Sequence, residues 1–365
     1  MKYWRGYLTA AIFAFFSWAL LKFAAANTVL IDMVYPYVTR TLQTYLADWS
    51  GGAAFCLWQV LAAVGVALIL ASAVLMILLK WNPVQWGGWV LAGVSIVFFL
   101  HTGIYGMNQY AGSVAGDIRL DITEYTLSEL EGAAAYFRDN ANALADQVER
   151  DSNGQIVADF DTLALQAADG FNTLVYEDSY SIYAGSTVPV KKLGFADRYT
   201  KKGITGVTVA LTGEAAVNPQ APAMVLPFAM CTEMAKRMCV AEENSAKFSA
   251  YLACRANSSA QFQYAAYCMA YRTCYETLLR IGSENANAAA GRVSDGVGNK
   301  MYADLQTYEK FLKEDADENE ACQLLVSWYV QEIVLPTQVE DEAKFDPYDE
   351  TQVDLSGIVN AKTNG

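Results

Sequence analysis

The sequence predicts a helical membrane region of three spans joined to a mainly α, α+β domain outside the membrane that carries a small β-sheet. Three observations lead there. Before Tyr105 the chain holds seven charged side chains, five of them basic, whereas the rest of its 365 residues hold 20 basic and 37 acidic ones. Three long apolar runs fill the sparsely charged part, and helical spacing dominates the acidic part, broken by one β-branched stretch.

The apolar runs cover about residues 7–26, 53–79 and 86–105, each close to or beyond the ~20 residues that cross a bilayer core as a helix. No charge falls between Phe55 and Leu79. Lys22 lies near the end of the first run and can snorkel, and the third run has only neutral breaks such as Gly93, Ser95 and His101. Trp4, Trp58, Trp81, Trp86 and Trp89 stand near run ends, as interfacial aromatics do. The link Lys80-Trp-Asn-Pro-Val-Gln85 reads as a tight turn between antiparallel helices. Lys2, Arg5 and Lys80 place the first run's start and this link in the cytoplasm, so residues 27–52 and everything after Tyr105 fall outside. Ala24-Ala25-Ala26 would also suit a signal-peptide cleavage site, which leaves the domain on the same side. The expected division is a membrane region at 1–105, an outer domain at 106–335 and a tail at 336–365.

In the outer domain, residues 117–151 return Leu120, Ile122, Leu127, Leu130, Ala134 and Phe137 to one face and predict a packing helix. A shorter helix is expected near 161–168. Val188-Pro-Val and Ile204 to Leu211 are β-branched and bounded by glycines, which predicts strands and a hairpin. Helices resume at Leu226 and run to Ile281. Residues 282–298 read as a Gly/Asn/Ser-rich interruption before helices at about 300–313 and 320–333. The acidic tail is poor in large apolar residues and is expected to be disordered.

Six of the seven cysteines fall outside the spans, at Cys231, Cys239, Cys254, Cys268, Cys274 and Cys322. An oxidising compartment permits disulfides among them, but spacing names no partners, and buried free thiols remain an equal alternative. Tyr264, Tyr267, Cys268, Tyr271 and Tyr275 recur at three- and four-residue steps, as a core stripe does. No G-x-S-x-G or S-x-x-K frame surrounds a nucleophile, no glycine-rich phosphate loop is present, and the acidic surface argues against nucleic acid.

One segment carries the outline of a site. Cys231-Thr-Glu-Met-Ala-Lys-Arg-Met238 has the frame of an HExxH helix, in which two histidines four residues apart hold one zinc ion and the glutamate activates its water. Thr232 and Lys236 stand at the histidine positions and Glu233 remains. The only histidine of the chain is His101. Lys236 would put an ammonium where the dication should be, and can pair with Glu233 three residues back. Such a lysine supplies charge but neither a strong Lewis acid nor hydroxide at neutral pH. The bland alternative for Glu233 is an ordinary helix carboxylate paired with Lys236 or Arg237.

Gly203-Ile-Thr-Gly206, Leu211-Thr-Gly-Glu-Ala-Ala-Val-Asn218, Leu226-Pro-Phe228 and Glu243-Asn-Ser-Ala-Lys-Phe-Ser-Ala-Tyr-Leu-Ala-Cys254 resemble the bacterial membrane family catalogued as domain of unknown function 3810. Its members read T-G-E-A-N-V-N, P-F-T-x-x-H-E-x-A-H and E-D-E-A-N-F-x-A-Y-L. The resemblance implies three spans in the bacterial cytoplasmic membrane, a zincin-like domain outside it, and a zinc-dependent, peptidase-like site. Residue by residue, the family's histidines fall on Thr232 and Lys236, its motif glutamate on Glu233, and the acid before Ala-Asn-Phe on Ser245. Glu243 is retained, whereas the asparagine falls on Lys247.

With Thr232, Lys236 and Ser245 all substituted, the expected protein binds no cofactor, zinc included, and keeps Glu233 only as a catalytic remnant. It is expected to be a membrane-anchored pseudoenzyme that binds an extended peptide or a protein in a groove near Glu214, Asn218 and Glu243, with the lipid bilayer as its other partner; turn and cap roles are the equal alternative for Glu214 and Asn218. One alternative is a peptidase with a rebuilt, non-histidine metal site around Glu233. The other is a purely structural membrane protein.

Overall fold

The computed structural model describes residues 4–313 and 318–337. The tail expected at 336–365 lies outside them except for Pro336 and Thr337. Among the described residues three helices of 22 residues each are long and apolar enough to cross a membrane: α1 (Arg5–Ala26), α3 (Leu57–Leu78) and α4 (Pro83–Ile104). α1 and α4 pack through small side chains, with Gly6, Ala10, Ser17 and Ala24 buried on one and Gly88, Ala92 and Thr102 on the other. A Cβ at Gly6 would come within 2.5 Å of the Gly88 backbone, so glycine there is what lets the two backbones approach. Asn82 caps α4 by accepting from the N–H groups of Val84 and Gln85, with Pro83 in the first turn. The expected tight turn between the second and third runs is present, yet α1 rather than α3 is the main packing partner of α4. α3 buries no residue at all.

Residues 27–52, expected as an outer connection, form a fourth long helix, α2 (Thr28–Gly51). Pro36 and the polar cluster around Arg40 hide its periodicity in the sequence. Its buried positions Ile31, Thr39, Arg40, Gln43, Ala47 and Ser50 nevertheless recur at helical spacing. That polar stripe meets the part of the chain that follows α4. Gln43 donates to the Ala210 carbonyl at 3.0 Å, and Arg40 donates to the carbonyls of Met238 and Ser181, each at 3.1 Å.

The part of the chain after α4 is built of α5 (Leu127–Leu144), α6 (Phe160–Tyr176), a short α7 (Ala196–Thr200), α8 (Leu226–Arg237), α9 (Glu243–Ala256), α10 (Ala260–Ile281), α11 (Glu284–Asp295), α12 (Asn299–Phe311) and α13 (Asn319–Tyr329). α10 lies at its centre, against α5, α8, α9, α11 and α13. The tyrosine stripe is core, as expected: Tyr264 is fully buried, and its hydroxyl donates to Asp304, which pairs with Arg150 at 2.7 Å. Phe137, Tyr251 and Trp328 make edge-on ring contacts at 5.2–5.5 Å that tie α5, α9 and α13 together.

Three sequence expectations change here. Val188-Pro-Val190 forms no strand, and the first strand falls just after it at Lys191–Lys192, beyond the proline that lacks an N–H to donate. The helix expected from residue 117 begins at Leu127, because Thr126 and Glu129 form a reciprocal capping box that fixes the start. Leu120 is buried and Ile122 exposed in the lead-in before it. The expected interruption at 282–298 contains α11, an alanine-rich helix capped by Ser283. Its Gly, Asn and Ser residues sit at its ends and on its exposed face, which is why composition alone misreads it.

The sheet has three short strands in the order β1-β3-β2: β1 (Lys191–Lys192), β2 (Gly206–Val209) and β3 (Glu214–Val217). β1 runs parallel to β3 and β2 antiparallel, with Thr208 opposite Ala215. β3 is buried throughout, while β2 is the half-exposed edge beside α8. The side chains of β1 and β3 also secure the start of α3. Glu214 accepts from the N–H groups of Leu57 and Trp58 at 2.7 and 2.8 Å and pairs with Lys191 at 2.7 Å. Lys191 in turn donates to the carbonyls of Ser50 and Phe55.

Glu214→Ala should therefore leave a buried ammonium and two helix-end N–H groups without a partner. Loss of roughly 3–5 kcal/mol is expected for breaking such a buried pair from one side. Urea unfolding of the detergent-solubilised chain should show it, and adding Lys191→Met should recover part of the loss.

Candidate functional site

α8 enters with Pro227 in its first turn and runs beneath the sheet, which places Glu233 under the edge strand β2. A Cβ at Gly206 would lie 2.5 Å from Glu233 Cγ, so only glycine allows the strand to settle this low. Strand alternation puts Thr208 on the same face as Gly206. Its hydroxyl lies 2.7 Å from Glu233 Oε2. Glu233 is buried, and its other oxygen is 3.2 Å from Lys236 Nζ. The same ammonium is 2.8 Å from Glu243 Oε2 at the start of α9. One lysine thus bridges two carboxylates on two helices.

Glu233, Lys236 and Glu243 line a cavity of about 180 Å³ together with Gly203, Thr205, Thr232, Lys247 and Tyr308. Burial pushes the Glu233 carboxyl above its ordinary range, opposed by Lys236 and by the Thr208 hydrogen bond. Burial would lower Lys236, but Glu233 and Glu243 outweigh it and hold the ammonium protonated above its usual value. The far end of α8 is tied to α4 and α2: Tyr105, the residue that ends α4, donates to the Lys236 carbonyl at 2.8 Å, and Arg40 of α2 caps the Met238 carbonyl. A cation at this helix end also suits its dipole.

Of the residues singled out in the sequence, Thr232, Glu233, Lys236 and Glu243 come together around this cavity. Ser245 does not. Two residues beyond Glu243 is about 200° around a helix, and Ser245 instead lines a small separate cavity with Arg40, Asp117 and Cys239. Lys247, four residues beyond Glu243, shares its face and pairs with Glu318 at 2.7 Å. That i,i+4 relation was readable from spacing; the contribution of Thr208 was not. Glu214 and Asn218 also lie away from the cavity. β3 is the central strand, so Glu214 serves the start of α3, and buried Asn218 holds a turn through Thr200, Ile204 and Gln220.

The residues present do not fit the zinc ion that the HExxH frame implies. The Thr232 hydroxyl donates back to the Phe228 carbonyl at 2.8 Å, and the Lys236 ammonium occupies the gap between the two carboxylates. Cys231 points to α6, where its sulfur is 3.8 Å from the Ala167 carbonyl, and Cys239 sits against Thr39 of α2. Among the described residues no three His, Cys, Asp or Glu side chains are grouped to hold a metal ion. All seven cysteines are free and buried.

A family model described as "Protein of unknown function (DUF3810)" matches residues 31–325. No curated protein and no solved structure matches the chain.

Lys236→Met should lower stability by roughly 2–3 kcal/mol near neutral pH, less than a fully buried pair because Lys236 and Glu243 are partly solvated. A carboxyl whose folded pKa is raised contributes stability below its unfolded pKa and loses it as pH rises through the folded value. The variant should accordingly lose stability on going from acid to neutral pH more than the parent does. Adding Glu233→Gln should remove that extra pH dependence, as thermal melts across the carboxyl range would record.

Proposed function

This chain belongs to the DUF3810 family of proteins of unknown function, and on that premise we propose that it is a membrane-anchored, metallopeptidase-like protein that has lost zinc binding and catalysis and holds an extended peptide. The observation that carries this reading is Lys236 Nζ, lodged between Glu233 and Glu243 where a zincin would keep its metal. The surrounding form supports a zincin-like ancestry. A helix in the HExxH frame lies under an edge strand, and the next helix supplies a carboxylate to the same cavity.

In such a frame the outer edge of β2 offers unpaired backbone groups to an added strand. Thr208 and Glu233 fix the depth of the strand, and Lys236, Lys247 and Glu243 give the cleft mixed charge. The anchor is the set α1, α3 and α4 crossing the bacterial cytoplasmic membrane. Lys2, Arg5 and Lys80 support a cytoplasmic start and link, with the domain outside. In this reading residues 1–105 form the membrane region and 106–335 the outer domain.

The full-length chain in detergent should contain no stoichiometric zinc after zinc incubation, by plasma mass spectrometry, and should cleave no peptide from a mixed library. Introducing Thr232→His with Lys236→His should create zinc binding that Glu243→Gln abolishes. Glu233-dependent cleavage by the unmodified chain would end the silent-enzyme reading. Failure of the paired histidine variant to take up zinc while folded would remove the zincin-like geometry.

A further inference from the structure

α2 connects the outer ends of two membrane-length helices by short links. Asn27 alone separates it from α1, and residues 52–56 separate it from α3. If α1 and α3 span the bilayer, as the proposed function holds, both ends of α2 must lie at the same membrane surface. A helix of 24 residues extends about 36 Å, so with both ends at one surface it runs along that surface. α4 emerges on the same side, and the outer domain follows it.

The two faces of α2 are unlike. Its three charged side chains all turn to the outer domain: Asp32 accepts from the Gly112 N–H at 2.8 Å, Arg40 reaches Met238 and Ser181, and Asp48 accepts from Ser186. The opposite face carries Val34, Val38, Leu42, Tyr45 and Trp49 at helical spacing, all exposed, with Val38 at 63% and Tyr45 at 71%. α1 and α3, which join its two ends, also expose many large apolar side chains. Tyr45 and Trp49 are the residue types that settle at the headgroup level.

We propose that α2 is an in-plane helix embedded in the outer headgroup–acyl boundary, so that the phospholipid surface forms the floor of the outer domain. The polar face of α2 carries the domain and the apolar face carries the lipid. This inference rests on the spanning role of α1 and α3. It also sets the cleft near the membrane, since the end of α8 is bonded to α2 and to the last turn of α4.

The test uses the full chain in phospholipid nanodiscs. An environment-sensitive fluorophore is attached to single cysteines introduced by Val38→Cys, Tyr45→Cys, Leu68→Cys on α3 and Ala288→Cys on α11. The native thiols are all buried. Quenching is read with nitroxides near the head or the tail of the lipid chain and with aqueous iodide. The Val38 and Tyr45 labels should be quenched most by the shallow nitroxide, Leu68 by the deep one, and Ala288 by iodide alone. If the α2 labels respond like Ala288 while Leu68 is deep, the in-plane helix is wrong and the spans stand. Protection of the α2 labels from every quencher would mean a second copy covers the stripe, which also overturns the proposal. Iodide quenching at Leu68 would remove the spanning reading and the inference with it.

Discussion

The buried Lys191–Glu214 pair is the contact on which the joining of the two parts depends. A helix end leaves backbone groups without intrahelical partners, and in this chain they occur where long apolar helices meet a folded domain. Glu214 satisfies the first N–H groups of α3, while Lys191 takes carbonyls from the end of α2 and from the following turn. Each charge would be costly alone in that position. Together they neutralise one another and close two helix ends from a single two-strand ladder. Arg40 does the equivalent for the end of α8.

Around the cleft, one side-chain ammonium joins two helices. Lys236 gives the buried Glu233 a counter-charge and gives Glu243 a partner. On the other side Gly206 and Thr208 hold the edge strand against Glu233, so the carboxylate is fixed from the sheet and from the helix at once.

Much of this was legible from the sequence, for identifiable reasons. Apolar length gave α1, α3 and α4, and the HExxH frame brought Thr232, Glu233 and Lys236 to one cavity because i,i+3 and i,i+4 relations are local to one helix. α2 was hidden because its amphipathic sense is inverted: the side chains that look solvent-facing are the ones the domain covers. Motif alignment puts a family acid at Ser245, whereas helical geometry from Glu243 turns Lys247 toward the same cavity. A groove and a turn or cap role are equally open for Glu214 and Asn218 from sequence, because strand order is not written there. Only the pairing of β3 with both β1 and β2 shows that its side chains are enclosed. The same limit hid Thr208, whose role exists only across the sheet–helix interface.

The hydrogen bond from Tyr105 to the Lys236 carbonyl has a mechanical meaning. With α4 as a span, the hydroxyl of the residue closing that span touches the very turn of α8 that carries Lys236, with no linker between them. A change in bilayer thickness is accommodated by tilting a helix. Tilt of α4 would move that hydroxyl, and the Lys236 turn would receive the displacement directly. On the proposed spanning of α4, the cleft between α8 and α9 would feel lipid composition through this one hydroxyl, and the membrane would be an input to the site as well as its support.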